Sequence, residues 1–258
     1  MPREATHLLS NAGYYRQQPA WWGSNLKGFL FMTKILSADI LDILPIEIGF
    51  IIATKEVLPT GEATVATFVY DQEGARILPI KIHTYLECKF GAQYRNIATS
   101  LGDYITCTSA VFKSGGVVTL YPNGEISFFD EEGALFWSGE LIYQDSTPKD
   151  IALDGTCFWS TVPDKNAIIR YSPVEKRVLL RIGGGSSTAF NRPISITKAD
   201  DKLYICNEGN YKIRTIRLED YAVKDYAVFN EPVYKYFRVG KKEYALLASG
   251  IYCINDEN

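Results

Sequence analysis

Histidine is almost absent from this chain of 258 residues, which contains only His7 and His83. A zinc site built on three histidines needs more of them, and a Ser-His-Asp triad needs one placed beside a nucleophilic serine. The HExxH and GxSxG signatures of common hydrolases are missing as well. The sequence therefore argues against histidine-based catalysis.

Cysteine is scarce and has no pattern that indicates a function. The five cysteines form no CxxC pair, are odd in number and stand about one per sequence repeat: Cys88, Cys107, Cys157, Cys206 and Cys253. A disulfide framework needs paired residues, so buried reduced thiols are the better interpretation. The amino-terminal residues 1–18 offer no apolar region of the kind found in a signal peptide. We therefore expect a cytoplasmic protein.

Long apolar runs and a strong charge of one sign are also missing. No uninterrupted apolar run approaches the length of about 18 residues that a membrane-spanning helix needs. The formal net charge is −3, which creates no field that would attract a phosphate backbone. We expect neither a membrane nor a nucleic acid among the partners.

Strand-forming residues, by contrast, are abundant, and they recur with a long period. The chain is 47% hydrophobic and has 17 Tyr and 13 Phe. An Asn followed three residues later by Ile occurs at Asn123, Asn166 and Asn210, which are 43 and 44 residues apart. Several short apolar runs within a period of this length are typical of a β-propeller blade. We interpret the three Asn as turn residues rather than as ligands.

The short runs can be ordered into blades of four antiparallel strands. The segments 68–77 and 127–136 each place an acidic turn ending in Gly between two apolar runs, as in the outer hairpin of a blade. Gly183, Gly184 and Gly185 suit a crossover between two blades. The inner strand pairs are predicted at 96–98 with 104–107, 150–153 with 157–160, 195–197 with 203–206, and 232–237 with 244–248.

These patterns predict one all-β propeller domain spanning residues 1–258, with the repeat clearest in 96–256. A blade of about 42 residues gives six blades, with five as the alternative. The chain ends within a repeat, at 251–256, which leaves the last blade one strand short. We expect an amino-terminal strand to close the ring, because closure leaves no open sheet edge. The segment 7–10 is the candidate for this strand.

The repeat around residues 183–214 resembles the NHL repeat, and a looser copy precedes it. The residues that carry the resemblance are Gly183, Gly184, Gly185, Phe190, Pro193, Ile196, Leu203, Tyr204, Ile205, Gly209, Asn210, Lys212, Ile213 and Arg214. The family's Asp before the Asn is replaced here by Asn207 or Glu208. The resemblance implies a propeller fold. NHL-like propellers include binding scaffolds, RNA-binding modules and, more distantly, metal-dependent hydrolases and lyases, so it does not select one function.

Residues that begin the innermost strands should face the propeller axis, and they form the candidate binding site. They are Arg95, Asn96, Lys149, Asp150, Arg192, Ser195, Tyr234 and Lys235. One carboxylate among four cations makes a poor cage for a divalent ion and a better socket for an anionic or polar partner. The alternative is that these side chains simply line a wet channel.

The function that these observations favour is a non-catalytic scaffold that binds a protein, or a glycan, through its loops. No catalytic residue, metal ligand or cofactor is predicted. One alternative is a metal-dependent hydrolase of the gluconolactonase type, which holds Ca²⁺ or Zn²⁺ at the axis with oxygen ligands from several blades. Another is a structural subunit of a larger assembly, and a homo-oligomer is left open.

Overall fold

The computed structural model describes residues 30–37, 39–91, 94 and 105–256. These residues form five antiparallel sheets of four strands each. Blade 1 consists of β2 (Ile40–Ile46), β3 (Gly49–Val57), β4 (Ala63–Asp71) and β5 (Arg76–Ile80), and is followed by helix α1 (Ile82–Phe90). Blade 2 consists of β6 (Thr108–Val111), β7 (Val117–Leu120), β8 (Glu125–Phe129) and β9 (Leu135–Glu140).

The remaining three sheets follow in chain order. Blade 3 consists of β10 (Ile151–Asp154), β11 (Cys157–Val162), β12 (Ala167–Ser172) and β13 (Arg177–Gly183). Blade 4 consists of β14 (Pro193–Ala199), β15 (Lys202–Asn207), β16 (Lys212–Arg217) and β17 (Val223–Val228). Blade 5 consists of β18 (Val233–Val239), β19 (Lys242–Leu247), β20 (Gly250–Asp256) and β1 (Leu30–Leu36).

The sheets are arranged around an axis, with the first strand of each blade innermost. Strand β10 contacts β6 and β14, and β18 contacts β14 and β2. Helix α1 contacts β4 and β6 and so lies between blades 1 and 2. The protein is therefore an all-β single propeller, and the structure selects the five-blade alternative rather than six. Division of the length by a blade period overcounted, because the described strands from Leu30 to Asp256 make five blades and helix α1 follows β5 before the next blade.

Each blade hides its apolar faces against its neighbours. Tyr204 of blade 4 stacks on Tyr236 of blade 5 with ring centroids 4.2 Å apart. Between blades 5 and 1, Phe50 meets the edge of Phe237 at 5.7 Å. Tyr85 and Phe90 of α1 are fully buried among side chains of blades 1 and 2. Because burial arises between blades, one blade alone could not cover its own faces.

The strand that closes the ring is β1, which pairs antiparallel with β20 from Leu30 opposite Asp256 to Leu36 opposite Ile251. Closure by an amino-terminal strand is thus confirmed. The strand is Leu30–Leu36 rather than the candidate 7–10, which lies outside the described residues. Tyr244 of blade 5 also donates a hydrogen bond from its hydroxyl to the Gln72 carbonyl of blade 1 at 2.9 Å.

The two similar hairpins found in the sequence are the outer halves of blades 1 and 2. In blade 1, Asp71 Oδ1 accepts hydrogen bonds from the backbone N–H groups of Glu73 and Ala75. In blade 2, Asp130 Oδ1 accepts them from the equivalent Glu132 and Ala134. The acidic residue therefore has the same structural role in both turns, where its carboxylate accepts hydrogen bonds from the backbone amides of the turn.

The inner pair predicted at 96–98 with 104–107 is wrong. Residues 96–98 and 104 lie outside the described part of the chain, whereas Ile105 and Thr106 are helical and Cys107 lies in a bend. The inner pair of blade 2 is β6 with β7. Of residues 105–107 only Cys107 is buried, at 3% exposed, and it packs in the cluster that contains Tyr85 and Phe90 of α1. The other three predicted inner pairs correspond to β10 with β11, β14 with β15 and β18 with β19.

Asn123 and Asn166 lie in turns, as expected, whereas Asn210 is the last residue of the short 3-10 helix Glu208–Asn210. Asn123 Oδ1 accepts a hydrogen bond from the Glu125 amide at 2.9 Å. Asn166 adopts a positive φ of 49°, and its Oδ1 accepts a hydrogen bond from the Arg192 amide of the next crossover at 2.7 Å. The glycine crossover beside it has positive φ at all three positions. In the part of the chain that the structure describes, no helix combines the length and apolar character needed to span a membrane.

Candidate functional site

The inner strands all begin at one face of the propeller, which we call the entry face. It is formed by the segments that lead into each inner strand and by the turns between the second and third strands of each blade. Strands alternate in direction, so all of these segments emerge on the same side. Four of the predicted site residues, Lys149, Asp150, Arg192 and Ser195, belong to the starts of β10 and β14, and Tyr234 and Lys235 to the start of β18.

One polar side chain from each blade occupies the same position at the start of the inner strand. In four blades this residue pairs with a residue of the second strand, as the pairs of Asp42 with Ala53 and Ser195 with Cys206 illustrate. In blade 3 the Asp150 carbonyl accepts the Thr161 amide. We call this set the axial ring, and its members are Asp42, Thr108, Asp150, Ser195 and Lys235.

Asp42 is the most heavily bonded member of the axial ring. Its Oδ2 accepts hydrogen bonds from Lys89 Nζ at 2.7 Å and from the Tyr85 hydroxyl at 2.8 Å, both on α1. Its Oδ1 accepts the Ile43 amide and lies 3.8 Å from Lys235 Nζ. Burial opposes ionisation, but the two ammonium groups and the hydrogen bonds outweigh it, so the pKa of Asp42 lies below its usual value. The carboxylate is therefore held ionised between blades 1 and 5 and the helix.

Asp150 connects three blades with one carboxylate. Its Oδ1 accepts hydrogen bonds from the Thr108 hydroxyl of blade 2 at 2.8 Å and from the Ile151 amide at 2.9 Å. Its Oδ2 accepts the Ile196 amide of blade 4 at 2.9 Å. Burial, and then the nearby Asp150 carboxylate, raise the pKa of the fully buried Cys206 thiol, which keeps that thiol neutral. Asp150 therefore fixes neighbouring blades relative to one another.

The other predicted residues are divided between the centre and the rim. Ser195 is 5% exposed, and its Oγ has no hydrogen-bond partner among the described residues. Lys149 is exposed, Arg192 pairs through Nε with Glu208 at 3.1 Å, and Tyr234 is 37% exposed. Arg95 and Asn96 lie outside the described residues. The structure thus brings Asp150, Ser195 and Lys235 into the axial ring and leaves Lys149, Arg192 and Tyr234 around it.

We call the axial ring together with Lys89 the axial cluster, and three of its members, Asp42, Thr108 and Lys89, were not predicted from the sequence. Thr108 was missed because the inner pair of blade 2 was predicted at 96–98 with 104–107. Asp42 follows the same rule as Asp150, since each precedes a buried Ile at the start of an inner strand, and alignment of the first blade to the others could have found it. Lys89 gave no such signal, because it comes from α1 rather than from a repeat. Asp42 and Lys89 change the charge balance of the centre, which contains two carboxylates, Asp42 and Asp150, and two ammonium groups, Lys89 and Lys235, both paired with Asp42.

This balance changes the chemistry expected at the axis. The two ring carboxylates already accept hydrogen bonds at both of their oxygens. Within the described residues, no group of three or more His, Cys, Asp or Glu is placed to hold a metal ion. The buried centre is a charge-neutral set of contacts between blades, and the exposed cations lie further out on the entry face.

The replacement Asp42→Asn is expected to make the free energy of unfolding less dependent on pH in the acidic range. A carboxyl group whose pKa is depressed by folding stabilises the fold above its unfolded pKa of about 4, and this contribution is lost as the pH falls through the lower folded value. The free energy of unfolding, measured by urea denaturation from pH 6 down to pH 2.5, should therefore fall less steeply for the variant below about pH 4.

The control for this experiment is Asp201→Asn, which removes an exposed carboxylate on the opposite face. Its profile should run parallel to that of the unmodified protein. Parallel profiles for Asp42→Asn as well would mean that the Asp42 carboxyl titrates alike in both states, which contradicts its place in the axial cluster.

Comparison with known proteins supports the fold and assigns no family. No protein-family model matches the chain, and no curated protein matches it in sequence. A catalytically inactive virginiamycin B lyase from Staphylococcus aureus with quinupristin superposes with a TM-score of 0.50 at 12% identity, over 84% of this chain and 80% of that one. The chain has the propeller fold. At this identity the similarity shows the fold alone.

Two further solved structures are more distant. Saccharomyces cerevisiae Sqt1 matches with a TM-score of 0.46 and 12% identity, over 88% of this chain and 60% of that one. The C-terminal WD40 domain of Sif2 matches with a TM-score of 0.43 and 15% identity, over 91% of this chain and 64% of that one.

Proposed function

We propose that the protein is a non-catalytic propeller scaffold that binds a protein partner through its entry face. The proposal rests on a difference between the buried and the exposed residues of the site. The axial carboxylates of Asp42 and Asp150 are committed to contacts between blades, whereas Lys149, Arg192 and Tyr234 are exposed around them. A rigid centre surrounded by exposed side chains on loops is the usual arrangement of a recognition surface.

The binding residues that we propose are those predicted from the sequence. Lys149, Arg192 and Tyr234 would contact the partner, with Asp150, Ser195 and Lys235 beneath them. Arg95 and Asn96, which lie outside the described residues, complete the proposed set. We also propose that the repeats are of the NHL type, which the three positive-φ glycines before Pro193 and the Asn166 turn support. The five free thiols support a reducing, cytoplasmic location.

We further propose that residues 1–258 fold as one domain. The strand nearest the amino end of the described chain, β1, completes the sheet that contains the last strand, β20. Because β1 pairs with β20, removal of either strand leaves the other without its partner. A single unfolding transition for the whole chain is the expected result in calorimetry.

Photocrosslinking tests the proposed function. A benzophenone amino acid is placed at Lys149 or Tyr234 on the entry face, or at Glu132 or Asp201 on the opposite face, and the chain is exposed to extract from its native source. We expect a specific protein adduct from the entry face only. The purified partner should then bind about tenfold more weakly to the double variant Lys149→Glu/Arg192→Glu, because rim charges steer and orient partners.

The matched control is Lys113→Glu, which reverses an exposed charge in the turn between β6 and β7 on the opposite face. Its affinity should equal that of the unmodified protein. A partner held equally by both variants, or adducts only from the opposite face, contradicts the proposal. A glycan array run in parallel tests the alternative of carbohydrate binding, and metal analysis with light scattering tests the hydrolase and assembly alternatives.

A further inference from the structure

A two-stranded arm rises above the entry face at blade 1. Ile40, the first residue of β2, pairs with Thr54 of β3, and beyond that point β3 and β4 pair only with each other, up to Val57 opposite Ala63. Three further residues of strand correspond to roughly 10 Å. Residues 55–64 are exposed, including Val57 at 69%. We call residues 55–64 the blade 1 arm.

A cleft opens beside this arm, between blades 1 and 5. It has a volume of about 460 Å³ and is lined by Asp39, Ile40, Tyr234, Leu246, Leu247 and Ala248. Its walls are apolar on the blade 5 side and acidic at Asp39. The exposed ring of Tyr234 projects there because the start of β18 is bulged between Val233 and Lys235.

The arm carries a second carboxylate, that of Glu56, on the side of blade 1 that faces blade 5. Side chains alternate along a strand, and Ile52 packs toward blade 5 whereas Ala53 packs toward blade 2. Thr54 and Glu56 therefore face the blade 5 side, and the Thr54 hydroxyl indeed donates to the Asp39 carbonyl at 2.7 Å. Neither Asp39 nor Glu56 forms an ion pair with any described residue. Two carboxylates without an ion pair among the described residues thus lie on the blade 1 side of a cleft whose blade 5 side carries Leu246, Leu247 and Ala248.

The backbone of the arm is also available on this side. Strand β2 covers β3 only up to Thr54, so the edge of β3 at residues 55–57 is unpaired by any strand in the described part of the chain. A peptide laid along this edge would continue the line of β2 above Ile40. Such strand addition gains main-chain hydrogen bonds, and adjacent pockets then select the side chains.

We infer that the cleft beside the blade 1 arm binds an extended segment of a protein partner that carries a Lys or Arg next to an apolar residue. The cation would lie between Asp39 and Glu56, and the apolar side chain would pack on Leu246 and Tyr234. Complementary charge sets which segments bind and in which register. This inference rests on the proposed function, because it names the chemistry of the partner that the entry face takes.

Peptide display on the full chain tests the inference. Random peptides of about twelve residues, long enough to pair with a sheet edge, are selected on the immobilised protein. We expect the selected sequences to be enriched in Lys or Arg beside apolar residues. Labelled copies should bind about tenfold more weakly to the variant Asp39→Asn/Glu56→Gln, and should weaken as salt is raised.

The control variant is Glu132→Gln/Asp201→Asn, which removes one Glu and one Asp on the opposite face and should leave affinity unchanged. Glu56→Lys supplies a rescue, since it should lose the basic peptide and bind the same peptide with Glu in place of its cation. Thermal unfolding of each variant verifies that the fold is retained.

The outcomes separate this inference from the proposed function. Selected peptides that bind the Asp39→Asn/Glu56→Gln variant normally but lose affinity for Lys149→Glu/Arg192→Glu overturn the cleft and leave the scaffold role standing. A selection that yields no basic peptides also overturns the cleft. The scaffold role fails independently if photocrosslinking captures no partner at the entry face.

Discussion

Replacement of Gly250 by alanine is expected to destabilise the protein by about 3–5 kcal/mol, because two independent costs coincide at this residue. Gly250 has a φ of 140°, a conformation that residues with a side chain rarely adopt. A Cβ atom built there would lie 2.0 Å from the Leu36 carbonyl oxygen, at the end of the strand that closes the ring. The backbone of β1 would have to move away from β20.

Gly155→Ala is the matched control for this prediction. Gly155 also has a positive φ, of 65°, but a Cβ there meets nothing within 4 Å. Only the conformational cost remains, about 1–2 kcal/mol. The free energy of unfolding from urea denaturation, with size-exclusion chromatography to detect association through the freed edge of β20, distinguishes the two. Equal costs at both glycines would contradict ring closure by Leu30–Leu36.

Replacement of Lys89 by methionine is expected to cost about 3–5 kcal/mol, because it removes one partner of a buried ion pair. The side chain of Lys89 is 5% exposed and that of Asp42 is 13% exposed. Without the ammonium group, the Asp42 carboxylate keeps the Tyr85 hydroxyl and the more distant Lys235. The Ile105 carbonyl also loses its donor at 3.0 Å. Methionine fills a similar volume, so the effect reports the charge rather than a cavity.

A double-mutant cycle isolates the interaction. Asp42→Asn combined with Lys89→Met removes both charges and should cost less than the two single replacements added together. Lys113→Met removes an exposed lysine and should change the free energy of unfolding by less than about 0.5 kcal/mol. Strict additivity of the single variants would show that Asp42 and Lys89 do not stabilise each other.

Local features of the fold could be predicted from the sequence, because they depend on residues that are close together in the chain. The hairpin turns at Asp71 and Asp130 close through bonds to amides two and four residues later, so the same letters give the same turn in both blades. The inner pairs of blades 3, 4 and 5 followed from apolar runs separated by short turns. The sequence also predicted Asp150, Ser195 and Lys235 as site residues. Each lies at the start of an apolar run, and that position can be read directly from the sequence.

The candidate site was harder to predict from the sequence, because its residues come from every blade and from helix α1, which is not part of the repeat. Lys89 reaches the axis only because α1 lies between blades 1 and 2. Since α1 is not part of the repeat, the periodicity of the sequence does not indicate Lys89. Asp42 was overlooked in a part of the chain where strand spacing is irregular. The cleft beside the blade 1 arm depends on β3 extending beyond β2, a difference in strand length that only the pairing reveals.

By itself, the sequence determined the blade: short antiparallel strands, the turns that connect them, and a repeat in which each sheet must bury its apolar faces against neighbouring sheets. Only the tertiary structure decided that five such sheets close the ring, that Leu30–Leu36 completes the last one, and that a helix supplies a cation to the axis. The physical reason is range. Turn and strand preferences are fixed by residues a few positions apart, whereas the number of blades and the composition of the axis depend on packing between segments that are distant in the chain.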